Sequence, residues 1–291
     1  MTDNWYEIDD IAELDSPALV VFPERVKYNI QQAVAMVGGD LSRLRPHIKT
    51  SKSPDVSRLM LAAGIRKFKC ATIAEAEMLA QCGAPDVLLA YQPLGPKLKR
   101  FVALIRHYPQ TRFSCLTDNI PAATEQSNRF AAESLVVPVY IDLNVGMNRT
   151  GIVPGSGAIA LAEQIRQLPG LSLSGLHAYD GHIRDADYEK KKALCDDCFR
   201  QVQELNATLQ LPTMIMGGSP AFSVHCKRPG VECSPGTFVY WDKGYSDLCP
   251  EQPFLPAVVL ITRVISHPSP GRICTDTGSK TAPFAAAKVG I

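Results

Sequence analysis

The chain has no apolar run fit to cross a bilayer. Stretches such as Leu135 to Val139 fall far short of the roughly 20 residues a membrane helix needs. It has no basic block longer than Lys190-Lys191-Lys192, and its net charge is +1, which argues against nucleic acid as a partner. The first residues, Met1-Thr2-Asp3-Asn4-Trp5, are polar and acidic rather than signal-like, so the cytoplasm is the expected compartment. No Gly-x-Gly-x-x-Gly follows an early strand, which weakens a dinucleotide-binding reading. Cys195-x-x-Cys198 has no second cysteine pair or nearby histidine to complete a zinc site, and it reads as part of a helix surface between Tyr188 and Leu209. Nine cysteines, an odd number set in apolar stretches, read as reduced buried thiols rather than a disulfide framework.

What is present is alternation. Short apolar or β-branched runs occur at Arg45–Ile48, Phe68–Ala71, Val87–Ala90, Phe113–Leu116, Val139–Asp142, Leu173–Ala178, Met214–Gly217 and Val231–Ser234. Between them lie segments with apolar residues three and four apart, such as Leu98, Phe101, Val102 and Ile105. Strands alternating with helices imply parallel pairing, and eight such units close a (β/α)8 TIM barrel. The barrel is expected over residues 23–245. Residues 1–22 and 246–291 are expected to form a small, incomplete β domain from both termini, with Ala18–Phe22, Pro256–Ser266 and Arg272–Asp276 as its strands. His267-Pro268-Ser269-Pro270 reads as a turn between strands.

Catalytic groups of a barrel sit where its strands end. Lys49 follows the first expected strand, just past Arg45-Pro46-His47-Ile48, where an amine can hold a carbonyl cofactor. Asn144 and Arg149 follow the fifth strand; His177, Tyr179 and His182 follow the sixth. Gly217-Gly218-Ser219-Pro220 and Ser234-Pro235-Gly236-Thr237 follow the last two, where barrels commonly bind phosphate through backbone amides and a hydroxyl.

Together these segments resemble the alanine racemase-like (fold type III) pyridoxal-phosphate enzymes, in their D-threonine aldolase / D-serine dehydratase branch. The matching motifs are Arg45-Pro46-His47-Ile48-Lys49-Thr50, Lys69-Cys70-Ala71-Thr72 with Glu75-Ala76-Glu77, and Asp142-x-Asn144-x-Gly146-Met147-x-Arg149-Thr150-Gly151. Gly175-x-His177-Ala178-Tyr179-Asp180-Gly181-His182 and the two glycine-bearing loops continue the match in family order. The resemblance implies that Lys49 anchors pyridoxal 5'-phosphate and is the catalytic residue. Arg149 would sit near the pyridine nitrogen or the substrate carboxylate, and His177 and Tyr179 would face the ring or phosphate. Gly218, Ser219, Gly236 and Thr237 would hold the phosphate, with Gln92 and Asn144 in supporting positions.

The competing reading of His177 and Tyr179 is a satisfied core hydrogen bond. Ser51 departs from the family, which usually has histidine there. The family also implies a divalent metal, manganese or zinc. Its usual ligand motif in the C-terminal β domain is not found in this chain, so no metal ligand is carried over, and the chain reads as shortened. The activity implied is a lyase of D-β-hydroxy-amino acids, D-threonine aldolase-like, yielding glycine and an aldehyde. A D-serine dehydratase, an amino-acid racemase, or a cofactor-binding protein without turnover remain as alternatives. A homodimer acting on a small D-amino acid is expected.

Overall fold

A computed structural model describes residues 5–277. Its helices start where short polar side chains or prolines make starting easy. Ser53, Thr72, Asn119, Asp187 and Asp242 each cap a helix by accepting a backbone N–H from its first turn. The helices are α1 (Pro23–Met36), α2 (Pro54–Ala62), α3 (Ile73–Gln81), α4 (Pro96–His107), α5 (Ile120–Ala132), α6 (Ser156–Arg166), α7 (Tyr188–Leu209), α8 (Phe222–His225) and α9 (Lys243–Leu248). Proline occupies the first turn of α1, α2, α4 and α5, where its missing N–H has no intrahelical partner to lose.

Strand β1 (Ala18–Val21) precedes α1. Seven strands then alternate with helices: β2 (Lys67–Cys70), β3 (Asp86–Leu89), β4 (Arg112–Thr117), β5 (Val137–Leu143), β6 (Leu171–Ala178), β7 (Thr213–Met216) and β8 (Val231–Cys233). They form one parallel sheet in sequence order. The expected eight strands are therefore seven. Arg45–Ile48 is not a regular strand, because Pro46 has no N–H to give a ladder. It is nonetheless tied to both ends of the sheet. The Arg45 and His47 amides donate to the carbonyls of Cys233 and Pro235, and Ile48 and Lys69 exchange bonds with Lys69 and Pro46. The sheet is thus curled, with segment 44–48 spliced between β2 and β8.

Alternation along the strands separates two apolar regions. Phe68, Cys70, Val87, Leu89, Phe113, Cys115, Val139, Ile141 and Leu176 pack outward in the large core. Leu88, Leu116, Tyr140 and Ile215 form a second, smaller cluster. They alternate with the outward set, which places them on the concave side. Lys69, Asp142 and His177 share that side, nearer the C-terminal strand ends.

Outside the sheet, β1 pairs antiparallel with β9 (Val258–Ile261). Strands β10 (Val264–Ser269) and β11 (Arg272–Thr275) form a separate hairpin. The run expected at Pro256–Ser266 is thus divided at Thr262-Arg263. His267 lies within β10 rather than in a turn; Pro268 fits because the hairpin is exposed and its register is irregular there. Residues 1–4, and the part of the expected β domain from 278 onward, lie outside the described residues. Cys195 and Cys198 are buried rather than on a helix surface. They continue the inward stripe of Val202, Leu205 and Leu209 at alternating three- and four-residue steps. All nine cysteines are free thiols; Cys82 is half-buried, Cys274 is exposed and the rest are buried.

Arg45 carries a buried charge at the splice. Its side chain is 1% exposed and is held by Glu232, 2.8 Å away, and by Asp86. Removing one member of a buried ionic group leaves the others uncompensated, at about 3–5 kcal/mol. Lys67 still reaches Glu232, and Arg112 still reaches Asp86. Arg45→Met should therefore lower the unfolding free energy by about 3 kcal/mol, the low end of that range. Urea denaturation measures this, and adding Glu232→Gln should recover part of the loss.

Candidate active site

Lys49 sits at the rim because Ile48, just before it, is pinned to Lys69 of β2. Its own amide donates to His47 Nδ1 at 3.3 Å. The Lys49 residue is largely exposed, yet its amine lies deep enough for desolvation to lower its pKa. Arg149 lowers it further, and Glu75 partly opposes both. The amine is 5.6 Å from the centre of the Tyr179 ring, and the Arg149 guanidinium carbon is 5.0 Å from the same centre. One aromatic ring therefore stands beside both cations.

That ring dictates two glycines. A Cβ on Gly218 would come within 2.8 Å of the Tyr179 ring, and one on Gly181 within 2.3 Å. The glycine spacing in both motifs thus makes room for Tyr179. Burial raises the Tyr179 phenol, with nearby Tyr245 adding to the rise.

Beside the Lys49 segment, the amides of Gly236 and Thr237 converge on a single oxygen. They donate to Ser219 Oγ at 3.0 and 2.8 Å. This loop meets the lysine segment directly: Thr237 Oγ1 is 3.4 Å from Thr50 Oγ1, and a Cβ on Gly236 would lie 2.7 Å from the His47 carbonyl oxygen. Amides focused on one oxygen fit an oxyanion, and an amine lies on the adjoining segment. The residues present therefore fit a phosphorylated carbonyl cofactor.

His177 is buried, at 4% exposure. Its Nδ1 is 2.7 Å from Asp142 Oδ1 and its Nε2 is 3.3 Å from Lys69 Nζ, so both ring nitrogens are engaged. Gln92 donates to Asp118 and Asp142. Asn144 accepts the amides of Gly146 and Asn148. Both shape the loop that carries Arg149. His182 is exposed at the mouth, its ring against Gly146. A cavity of about 290 Å³ beside β2 and β3, lined by Thr72, Tyr91, Lys97 and Arg100 among others, contains none of the candidate residues.

One group of metal-ligand types occurs among the described residues: Asp180, Cys195 and His225, all buried. Its hydrogen bonding does not fit a metal. Arg228 lies 2.5 Å from His225 Nδ1, and an arginine only donates, so Nδ1 accepts and Nε2 carries the ring proton. That proton goes to Asp180 at 2.6 Å. Burial raises the Cys195 thiol, and Asp180 adds to the rise, so the sulfur stays protonated.

Sequence reasoning passed over Lys69 and Asp142 as site residues. The signal was a charged residue amid Phe68 and Cys70 in a four-residue buried strand, and a carboxylate at the end of another.

A curled parallel sheet alternating with helices, with an amine at one rim and converging amides beside it, sets the chain among the alanine racemase-like α/β folds. Residues 22–243 match the family model described as alanine racemase, N-terminal domain, and the chain belongs to that family. The D-threonine aldolase of an Arthrobacter species is 27% identical over 283 residues, covering 94% of this chain and 74% of that protein. A 3-hydroxy-D-aspartate aldolase of Paracoccus denitrificans is 24% identical over 93% of this chain and 74% of its own. The crystal structure of D-threonine aldolase from Filomicrobium marinum superposes with a TM-score of 0.85 at 27% identity, covering 94% of this chain and 76% of that one. An alanine racemase from Clostridium difficile 630 shares the fold at a TM-score of 0.71 and 14% identity, over 88% of this chain and 70% of its own.

Gly236→Ala places a Cβ against backbone, which cannot swing aside. It should destabilise the protein by about 1–3 kcal/mol and displace the Lys49 segment. Thermal unfolding, together with amide shifts of residues 47–50, measures both effects.

Proposed function

We propose that this chain is a pyridoxal 5'-phosphate-dependent lyase of D-β-hydroxy-amino acids, cleaving D-threonine-like substrates to glycine and an aldehyde. The observation that carries this reading is that the segment bearing Lys49 lies against the Gly236–Thr237 amide nest, through Thr50 and His47. The aldolase names of the relatives that span nearly all of this chain supply the reaction class.

Lys49 is the anchoring amine. Its lowered pKa keeps more of it as the free base at neutral pH than an ordinary lysine would be. Ser219, Gly236 and Thr237 bind the phosphate, and Gly218 keeps the backbone close to Tyr179. Arg149 neutralises the substrate carboxylate or meets the pyridine nitrogen. When bound, the cofactor supplies an electron sink for the pair left by the broken Cα–Cβ bond. His182, the exposed imidazole at the mouth, is placed to take the substrate hydroxyl proton. Since no described group fits a metal, no step is routed through one.

The same reading extends to organisation. Segment 44–48 serves as the eighth stave of a barrel over residues 23–245, and the paired terminal strands belong to an adjoining β domain. The enzyme would be a cytoplasmic homodimer. Among the described residues, no helix is long and apolar enough to cross a membrane.

Purified protein incubated with pyridoxal 5'-phosphate should gain a visible absorption band that Lys49→Ala lacks. With D-threonine, assayed with and without manganese, it should release glycine and acetaldehyde. Pyruvate from D-serine would replace the aldolase by a dehydratase, and an absent band would remove the reading altogether. Arg149→Met should raise the Lys49 pKa. It should slow cofactor loading at pH 7–8, read from the rate at which the absorption band appears.

A further inference from the structure

A four-residue strand packed on both sides has little use for a lysine, yet β2 buries Lys69 at 2% exposure between Phe68 and Cys70. Burying an amine is costly unless its hydrogen bonds are made. Lys69 Nζ lies 3.3 Å from His177 Nε2, and His177 Nδ1 lies 2.7 Å from Asp142 Oδ1. The carboxylate only accepts, so Nδ1 carries the ring proton. In the neutral ring Nε2 is then the acceptor, and the Lys69 amine donates to it. The other oxygen, Asp142 Oδ2, accepts from Thr150 Oγ1 at 2.8 Å and from Gln92 Nε2 at 3.3 Å. Thr150 directly follows Arg149.

We propose that Lys69 is a positioning residue: with His177 and Asp142 it forms a hydrogen-bonded chain through the barrel interior that holds the loop bearing Arg149. Its consequence for turnover rests on the lyase reading above; the chain itself does not.

The surroundings make Lys69 the titrating member. Arg45, His47 and Lys49 face it from segment 45–49, His177 and Asp180 from β6 and its following loop, and Asp142 from β5; Arg149 acts on His177 from the next loop. Glu232 of β8 and Asp86 of β3 are taken up by Arg45. Burial, then Lys49, lower the Lys69 pKa to about 7, against the pull of Asp142. His47 and His177 are held neutral, mainly by burial, with Lys69 adding to it.

Near neutral pH, Lys69 thus switches between a charged and a neutral donor to His177. Between about 7 and the ordinary lysine value of 10.5, the unfolded chain binds the proton that the folded chain has released. The Lys69 contribution to stability therefore rises with pH across that window and is flat below it.

The test is NMR of the cofactor-free protein with labelled lysine and histidine. One lysine Cε resonance should titrate near pH 7 and disappear in Lys69→Met, and His177 should show the Nδ1–H tautomer. The same titration should move the amides of residues 146–151 in the wild type but not in Lys69→Met. Lys69→Arg, which always carries its charge, should keep the loop in place and abolish the titration. It also assigns the resonance if Lys69→Met does not fold.

In the loaded enzyme, Lys69→Met should lower kcat for D-threonine about tenfold or more, with KM within about threefold and the absorption band retained. A wild type with no lysine titrating below pH 9, or loop amides that ignore the titration, would overturn the proposal. Failure of the wild type to bind pyridoxal 5'-phosphate would instead remove the lyase reading and leave the NMR results standing.

Discussion

The backbone splice at residues 44–48 is the constraint on which the rest depends. Seven parallel strands leave two edges, and unpaired edge groups are a liability. Here the Arg45 and His47 amides reach Cys233 of β8 and Pro235 just beyond it, while Ile48 and Pro46 engage Lys69 of β2. The same bonds set the height of Lys49 at the rim and bring Thr50 against Thr237. The charge of Arg45, bonded to Glu232 and Asp86, links this segment to β8 and β3 from within. One short segment thus joins the sheet edges and sets the position of Lys49.

Above that splice, the concave side is layered by chemistry. The lower layer, Leu88, Leu116, Tyr140 and Ile215, is an ordinary apolar filling. The upper layer, Lys69, Asp142 and His177, is polar and buried. Such groups survive only when each is paired, and the pairing here is serial, strand to strand and then out to Thr150. The rim is thereby supported by hydrogen bonds rather than by loose packing. That suits a site whose cations, Lys49 and Arg149, stand near one ring with no acid bonded to either among the described residues.

Much of this was legible in the residues. Strand positions followed from apolar runs, and Lys49, Tyr179 and the glycine loops stood at strand ends. The glycines announced close approach, and Tyr179 and the His47 carbonyl are what they approach. The eighth strand was overcounted because an apolar run was read without asking whether Pro46 could join a ladder. Cys195 and Cys198 were placed on a surface because their spacing was compared with metal sites. Extended to Val202, Leu205 and Leu209, the same spacing is an inward stripe. The Lys69–His177–Asp142 chain was illegible because its members come from three strands, and only the curl of the sheet brings them together.

The placement of His177 sharpens what separates support from chemistry at this site. A histidine in a motif at a strand end invites an acid–base role, but a ring with both nitrogens bonded to buried partners has no free position for a substrate proton. Taking a proton at Nε2 would mean losing the Lys69 bond and gaining charge beside a lysine and an arginine, and burial already favours the neutral ring. His182 has neither restraint and stands at the mouth. The deeper histidine is therefore bonded to Lys69 and to Asp142, which also accepts from Thr150, whereas the other lies exposed in the loop after β6. Two histidines five residues apart thus differ in environment because β6 ends between them: the strand pleat turns His177 inward, and the loop releases His182 to solvent.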